Sequence, residues 1–212
     1  MNGFLREIYQ RVIDKAQLNP AEILNFVINN YEQFDPNWHA LGFIHCKLMS
    51  FEKGTLRLHI WEGQEKHPEE QREKIHDHLF SLNSFVISGK IKNEFFEAQE
   101  TTSLNFTHYA YTVQYGNKFS QLKLIDKLYK VRKLDEKVIL GGEYYEIKST
   151  RFHRSSLING STALTLVATY EHTTKDPVTL SKILLEDNKI RDFLPYDKRQ
   201  WRDKLLLICN SL

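Results

Sequence analysis

Cysteine is nearly absent from this chain of 212 residues, which carries two, Cys46 and Cys209, far apart. So few exclude a disulfide-built scaffold, and their separation fits no zinc-binding spacing. The pair admits one disulfide or two buried thiols, and buried thiols suit a reducing compartment. Glycine (9) and proline (5) are scarce as well, which excludes collagenous and low-complexity classes. The net charge of +2 is too small to imply long-range attraction to nucleic acid. No apolar run approaches a membrane span; Leu205–Cys209 is the densest and is far too short. The first residues, Met1 to Glu7, become charged too early for a signal peptide. No internal repeat is present. These absences lead to the expectation of a cytoplasmic protein with neither a membrane nor a nucleic-acid partner.

Hydrophobic residues at 41% and aromatic residues at 12% are ample for a core, and thirteen Phe beside ten Tyr suit a strand-rich body. Phe4, Leu5, Ile8, Val12 and Ala16 fall at helical spacing. Asn19-Pro20-Ala21-Glu22 is a helix start: Asn caps, Pro suits the first helical position, and Glu stands three residues after the cap. From Leu41 the period changes to two. Phe43–Phe51 and Thr55–Trp61 read as strands around a Glu52-Lys53-Gly54 turn, with Leu56, Leu58 and Ile60 alternating with Arg57, His59 and Trp61. Glu62–Lys74, with His67-Pro68 inside it, reads as a solvated charged loop.

Strand signals continue through Phe85–Ser88, Lys90–Phe96, Tyr109–Tyr115, Leu122–Lys133, Glu143–Ser149 and Thr162–Tyr170, which argues for an all-β barrel or double sheet. Leu180, Ile183, Leu184 and Asp187 onward read as helix up to Pro195, followed by a last helix carrying Trp201, Leu205 and Ile208. The expected organisation is a single domain over 1–212. Helical flanks cover about 1–36 and 177–212, and a β core covers about 41–171. Unpaired sheet edges of such a body would suit a homodimer.

The chemistry concentrates at Ile75-His76-Asp77-His78. In an extended backbone His76 and His78 share a face while Asp77 points away. Two imidazoles on one face are half of a transition-metal site. His153, after the Gly141-Gly142 turn and a strand, is the best third donor. His45, His59, His108 and His172 in or near strands, and His39 and His67 in loops, read as supporting partners.

His76-Asp77-His78…Gly89 and Gly142-Glu143-Tyr144-Tyr145-Glu146…His153 together resemble the two motifs of the cupin superfamily. Asn83 stands where that family usually has a ligand Glu, so the implied ligand set is three His. Within cupins, Leu58-His59-Ile60-Trp61-Glu62-Gly63 followed by Ile75-His76-Asp77-His78 is similar to the cysteine dioxygenase type of thiol dioxygenase. His153-Arg154 is similar to the segment holding that family's third ligand, and Tyr170 follows at the interval of its active-site Tyr. The resemblance covers roughly residues 43–97 and 138–171.

It implies an all-β, cupin-like β-barrel (a double-stranded β-helix) with helical flanks, and a non-haem Fe(II) enzyme whose partners are a small substrate and O2. No Arg matches the residue that grips substrate carboxylate in the family; Lys47 falls nearest by strand position. Asn83 could hydrogen-bond a metal-bound water, and Tyr170 could donate a proton. Imidazole also binds zinc, nickel, manganese and copper, so donor type alone leaves the ion open. A metallocupin hydrolase, isomerase or lyase, and a non-catalytic cupin that binds a small ligand, stand as alternatives.

Overall fold

The computed structural model describes residues 2–63, 74–103, 105–116, 119–158 and 160–212. Two helices come first, α1 (Asn2–Ile13) and α2 (Pro20–Asn29). The Asn19 side chain accepts from the Glu22 N–H at 3.3 Å, which satisfies one orphan donor of the first turn. Helix α1 buries Leu5, Ile8 and Val12, and α2 buries Ile23, Leu24, Val27 and Ile28, each set at helical spacing.

The strands are β1 (Asn37–His39), β2 (Phe43–Phe51), β3 (Gly54–Glu62), β4 (Ile75–His76), β5 (Ser81–Ser88), β6 (Lys90–Thr101) and β7 (His108–Tyr115), then β8 (Phe119–Leu140), β9 (Tyr144–Ile147), β10 (His153–Leu157), β11 (Thr162–Tyr170), β12 (Val178–Ser181), β13 (Lys189–Asp192) and β14 (Leu194–Pro195). A last helix, α3 (Lys198–Cys209), follows, capped by the Asp197 carboxylate on the Gln200 N–H at 2.8 Å. No described helix is long and apolar enough to cross a membrane.

The strands form two antiparallel sheets. One runs β14-β1-β2-β3-β11-β5-β9; the other runs β13-β8-β6-β10-β4-β12-β7, and β7 pairs back onto β8. The result is a mostly β, sandwich- or barrel-like body. Alternation on β3 and β11 decides what faces what. Leu56, Leu58 and Ile60 of β3, with Leu164, Leu166 and Ala168 of β11, pack in one cluster with the helical residues. Each leucine there is fully buried, which stabilises the fold by about 1.5–3 kcal/mol relative to exposure. Arg57, His59 and Trp61, with Val167 and Thr169, turn the other way, into the space between the sheets. All three helices thus add to the outer cluster of the first sheet, and its inner face is left for the histidines.

The β2–β3 turn is seated on β11. Tyr9 of α1 donates to the Thr169 carbonyl at 2.9 Å, and the Thr55 N–H donates to the Thr169 hydroxyl at 2.9 Å. Gly54 lies so close to the Thr169 carbonyl that a Cβ there would overlap it.

The segment 178–195 departs from the helical expectation. Thr179 and Leu180 are buried in β12, which inserts between β4 and β7. Ile183 and Leu184 are 55% and 61% exposed, so the apolar residues that suggested a stripe do not share a buried face. Val178 and Thr179, branched at Cβ, suit the strand that two open edges offer. The β region therefore extends to Pro195, and the C-terminal flank is helical only from Lys198.

Asn83, on the outer face of β5, closes α1. Its amide donates to the carbonyls of Ile13 at 2.8 Å and Val12 at 3.4 Å. Asn83→Ala is expected to lower unfolding free energy by about 1–3 kcal/mol, because those terminal carbonyls lose a buried donor. Denaturant titration measures this loss, and metal affinity should stay at the parental value.

Candidate metal centre

The three imidazoles predicted to converge do so. β10 and β4 meet at one register pair, His153 opposite His76. His78 follows just beyond β4, and the ring centroids lie 4.8 Å (His76–His78), 4.4 Å (His76–His153) and 4.9 Å (His78–His153) apart. One donor nitrogen from each lies within 4.8 Å of the others, close enough to bind a metal. Metal–nitrogen bonds of about 2.0–2.1 Å would need each ring to move by about an ångström or less.

Two of the rings are oriented by the backbone in the same way. His76 Nδ1 donates to the Lys74 carbonyl at 2.9 Å and His153 Nδ1 to the Arg151 carbonyl at 3.0 Å, each two residues back. A carbonyl only accepts, so Nδ1 carries the proton and the Nε2 lone pair is free for an ion. His78 is held by stacking on Phe80, with centroids at 4.8 Å and planes 12° apart. Asp77 points away, as extended backbone requires. Its carboxylate accepts from the Val178 N–H at 2.6 Å and so fastens β12 beside β4.

Burial holds these imidazoles neutral. It pushes His153 down to about 3, helped by repulsion from His76, and holds His78 well below the usual histidine value. His76 is lowered by burial too. Neutral imidazole is the form that ligates.

The rings line a cavity of about 70 Å³ between the two sheets. Its opposite wall carries a second set of imidazoles. His45 pairs in register with His59, their centroids 6.2 Å apart, and His39 lies 5.7 Å from His45. His39 Nδ1 accepts from the Leu41 N–H at 3.2 Å. Burial pushes His45 down to about 4 and holds His39 and His59 well below the usual value. Arg57 lines the same cavity, as does Tyr145, whose phenol burial pushes up to about 12.

Three sequence-predicted residues do not join this group. Tyr170 and Asn83 lie on the outer face of the first sheet, beside the end of α1. The Tyr170 hydroxyl donates to Glu146 at 2.9 Å, with Asn83 Oδ1 at 3.4 Å. Their neighbours Thr169 and Leu82 are the ones that line the cavity, so the expected face is off by one residue, which on a strand is the opposite side. Lys47 is exposed on β2, and Arg57, its register partner, lines the cavity, as does Lys74.

His39 lies in β1, not in a loop. His108 is buried beside the Thr107 hydroxyl, and His172 packs near Phe80 at 5.4 Å. His67 and the body of its loop, 64–73, fall outside the described residues. Cys46 and Cys209 are both free thiols. Arg57 and His59 had a legible signal, since both alternate with Leu56, Leu58 and Ile60. What the pattern could not say is whether their face meets solvent or a second sheet.

These features define a mostly β protein with a three-histidine group able to hold a metal ion. No protein-family model and no curated protein sequence matches the chain.

The depressed histidines set a pH dependence. In the unfolded chain each titrates near 6.5, so below about 6.5 the unfolded state binds more protons and stability falls with pH. Each histidine contributes about 1.4 kcal/mol of loss per pH unit while its folded form stays neutral. Urea unfolding of the metal-free protein should show a flat midpoint above about pH 7.5 and a steady decline toward about pH 4.5. His45→Asn should make that decline shallower by roughly one histidine's share.

Proposed function

We propose that the chain is a metal-dependent, dioxygenase-like enzyme of the cupin type, a double-stranded β-helix. It uses Fe(II) on His76, His78 and His153 to oxidise a small thiol or organic acid with O2. The observation that carries this reading is three neutral nitrogen donors, with no carboxylate in the group among the described residues, at the wall of the cavity between the sheets. Ferrous iron bound to such donors keeps its full double charge and supplies the electrons that activate O2.

The chain's own residues do the rest. The Lys74 and Arg151 carbonyls fix which nitrogens of His76 and His153 face the ion. Trp61, its indole N–H on the Thr165 hydroxyl at 3.2 Å, walls the cavity with Phe80 and keeps bulk water from the substrate. The Tyr145 phenol stays protonated through the neutral range and offers a hydrogen-bond donor on the cavity wall.

A second reading has one observation in its favour. Tyr170, the proton donor that the dioxygenase resemblance implies, lies outside the cavity, bonded to Glu146. A redox-inert ion on the same three histidines would make the enzyme a hydrolase, isomerase or lyase that uses the metal as a Lewis acid.

Anaerobic purification, elemental analysis and O2 uptake with a panel of small thiols and acids separate the two. The dioxygenase reading expects one iron per chain and O2 consumption that zinc cannot support. Turnover with zinc in the absence of O2 would transfer the assignment to the second reading, and a chain that takes up no metal would end both. His76→Ala and His78→Ala are each expected to weaken metal binding by more than about 100-fold, read by competition with a chelator dye.

A further inference from the structure

We infer that His39 is a specificity-determining residue on the wall facing the metal centre, and that its Nε2–H selects a substrate with a hydrogen-bond acceptor at the end away from the ion. The inference rests on the reading above only in placing the substrate's other end at His76, His78 and His153.

The backbone decides what these imidazoles offer, and it decides in opposite senses on the two walls. His76 and His153 each meet a carbonyl two residues back, which accepts from Nδ1 and leaves a lone pair on Nε2. His39 instead meets an N–H two residues ahead, that of Leu41, at 3.2 Å. A backbone N–H only donates, so His39 Nδ1 is the acceptor and carries no proton. A neutral imidazole has one N–H, and in His39 it is therefore on Nε2. Burial keeps the ring neutral, holding it well below the usual histidine value.

The ring is fixed in place as well as in tautomer. It stacks on Phe43, with centroids 4.3 Å and planes 9° apart, and stands edge-on to His45 at 5.7 Å. It lines the cavity, and Nε2 has no acceptor among the described residues. It is also near enough to the metal centre for a charge to be felt there, since repulsion from His39 helps to hold His78 low. His45 and His59 have no backbone partner among the described residues that fixes a tautomer, so the polarity of this wall is set at His39.

That polarity excludes His39 as a ligand for a second ion, because a protonated nitrogen has no lone pair to give. Among the described residues, His76, His78 and His153 form the one group that brings three such donors together. What His39 offers is a directed donor across a small space. At roughly 10–15 Å³ for each water-sized position, the cavity volume of about 70 Å³ holds on the order of five to seven non-hydrogen atoms. A substrate of that size bound at the ion brings its far end to the β1 wall. There an acceptor atom completes the Nε2–H bond, an apolar end leaves it unmade, and a cationic donor opposes it.

The test uses the cobalt-loaded full chain under nitrogen, whose visible absorption reports a thiolate arriving at the ion without turnover. Three thiols of one shape are titrated: mercaptoacetone, isobutanethiol, in which a methyl replaces the carbonyl oxygen, and the analogue with an ammonium group there. Expected is mercaptoacetone binding about three- to tenfold tighter than isobutanethiol, with the ammonium analogue weakest. Arg57, Lys74 and Tyr145 also line the cavity with donors, so variants isolate the share of His39. His39→Leu should erase the preference for the ketone. His39→Gln, whose amide carries an N–H to nearly the same place, should keep most of it, with cobalt content unchanged in both. Equal affinity for the ketone and the hydrocarbon, no binding of the ketone, or a preference that survives His39→Leu would overturn the inference.

Should the leucine variant not fold, the tautomer decides. Nitrogen NMR of the isotope-labelled, metal-free chain, with the His39 signal assigned by its loss in His39→Gln, should show His39 protonated on Nε2 and His76 and His153 on Nδ1. A His39 ring protonated on Nδ1 would refute the proposal. Selective binding of mercaptoacetone without O2 uptake by the iron form would uphold this inference while removing the dioxygenase reading. O2 uptake with no such preference would do the reverse.

Discussion

One register pair, His153 opposite His76, is the constraint on which the centre depends. Strand β4 is two residues long and is flanked by β10 on one side and β12 on the other. A slip of one residue between β4 and β10 would turn an imidazole out of the cavity. The Asp77 carboxylate on the Val178 N–H makes such a slip costly, because the carboxylate is mostly buried and its bond is charge-assisted. Strand β12 thus belongs to the same mechanical unit as the histidines.

Around that pair the interior is electrically unusual. Six imidazoles from β1, β2, β3, β10 and the β4 stretch face one small cavity, each below its ordinary protonation range because water is excluded. Neutral rings can crowd in this way where six charges could not. The arrangement exchanges acid stability for a set of ready nitrogen donors and hydrogen-bonding edges. Arg57 is set among them, and the outer surface carries the ordinary exposed ion pairs, such as Lys127 with Glu100 and Arg132 with Glu97.

Much of this was legible in the sequence, and the failures have definite physical origins. His76 and His78 could be read because period two puts i and i+2 on one face, and His153 because a Gly-Gly turn marks the strand before it. The Asn19 cap and the Phe43–Phe51 and Thr55–Trp61 strands follow local rules that tertiary contacts did not override. Residues 178–195 misled because Leu180, Ile183 and Leu184 fit helical spacing, while the decisive fact was the open strand edges of β4 and β7, far away in sequence. Tyr170 and Asn83 were placed by interval from a motif, and an interval carries no information about which face a strand presents. Lys47 was matched by strand position and pairs in register with Arg57, yet its long side chain lies exposed while Arg57 lines the cavity. His39 looked like a loop residue because β1 is three residues long and gains its strand character from partners on both sides, β2 and β14.

The glycine at the start of β3 has a reach that its place in a hairpin would not suggest. Gly54 lets that strand settle against the Thr169 carbonyl, and Thr169 steadies Thr55, which in turn aims Arg57. A methyl group at position 54 would wedge the strand away from its seat and swing the guanidinium off its line. The smallest residue of the turn therefore bears on where an arginine of the cavity wall points, through a chain of contacts that begins at a backbone carbonyl in the sheet opposite His76 and His153.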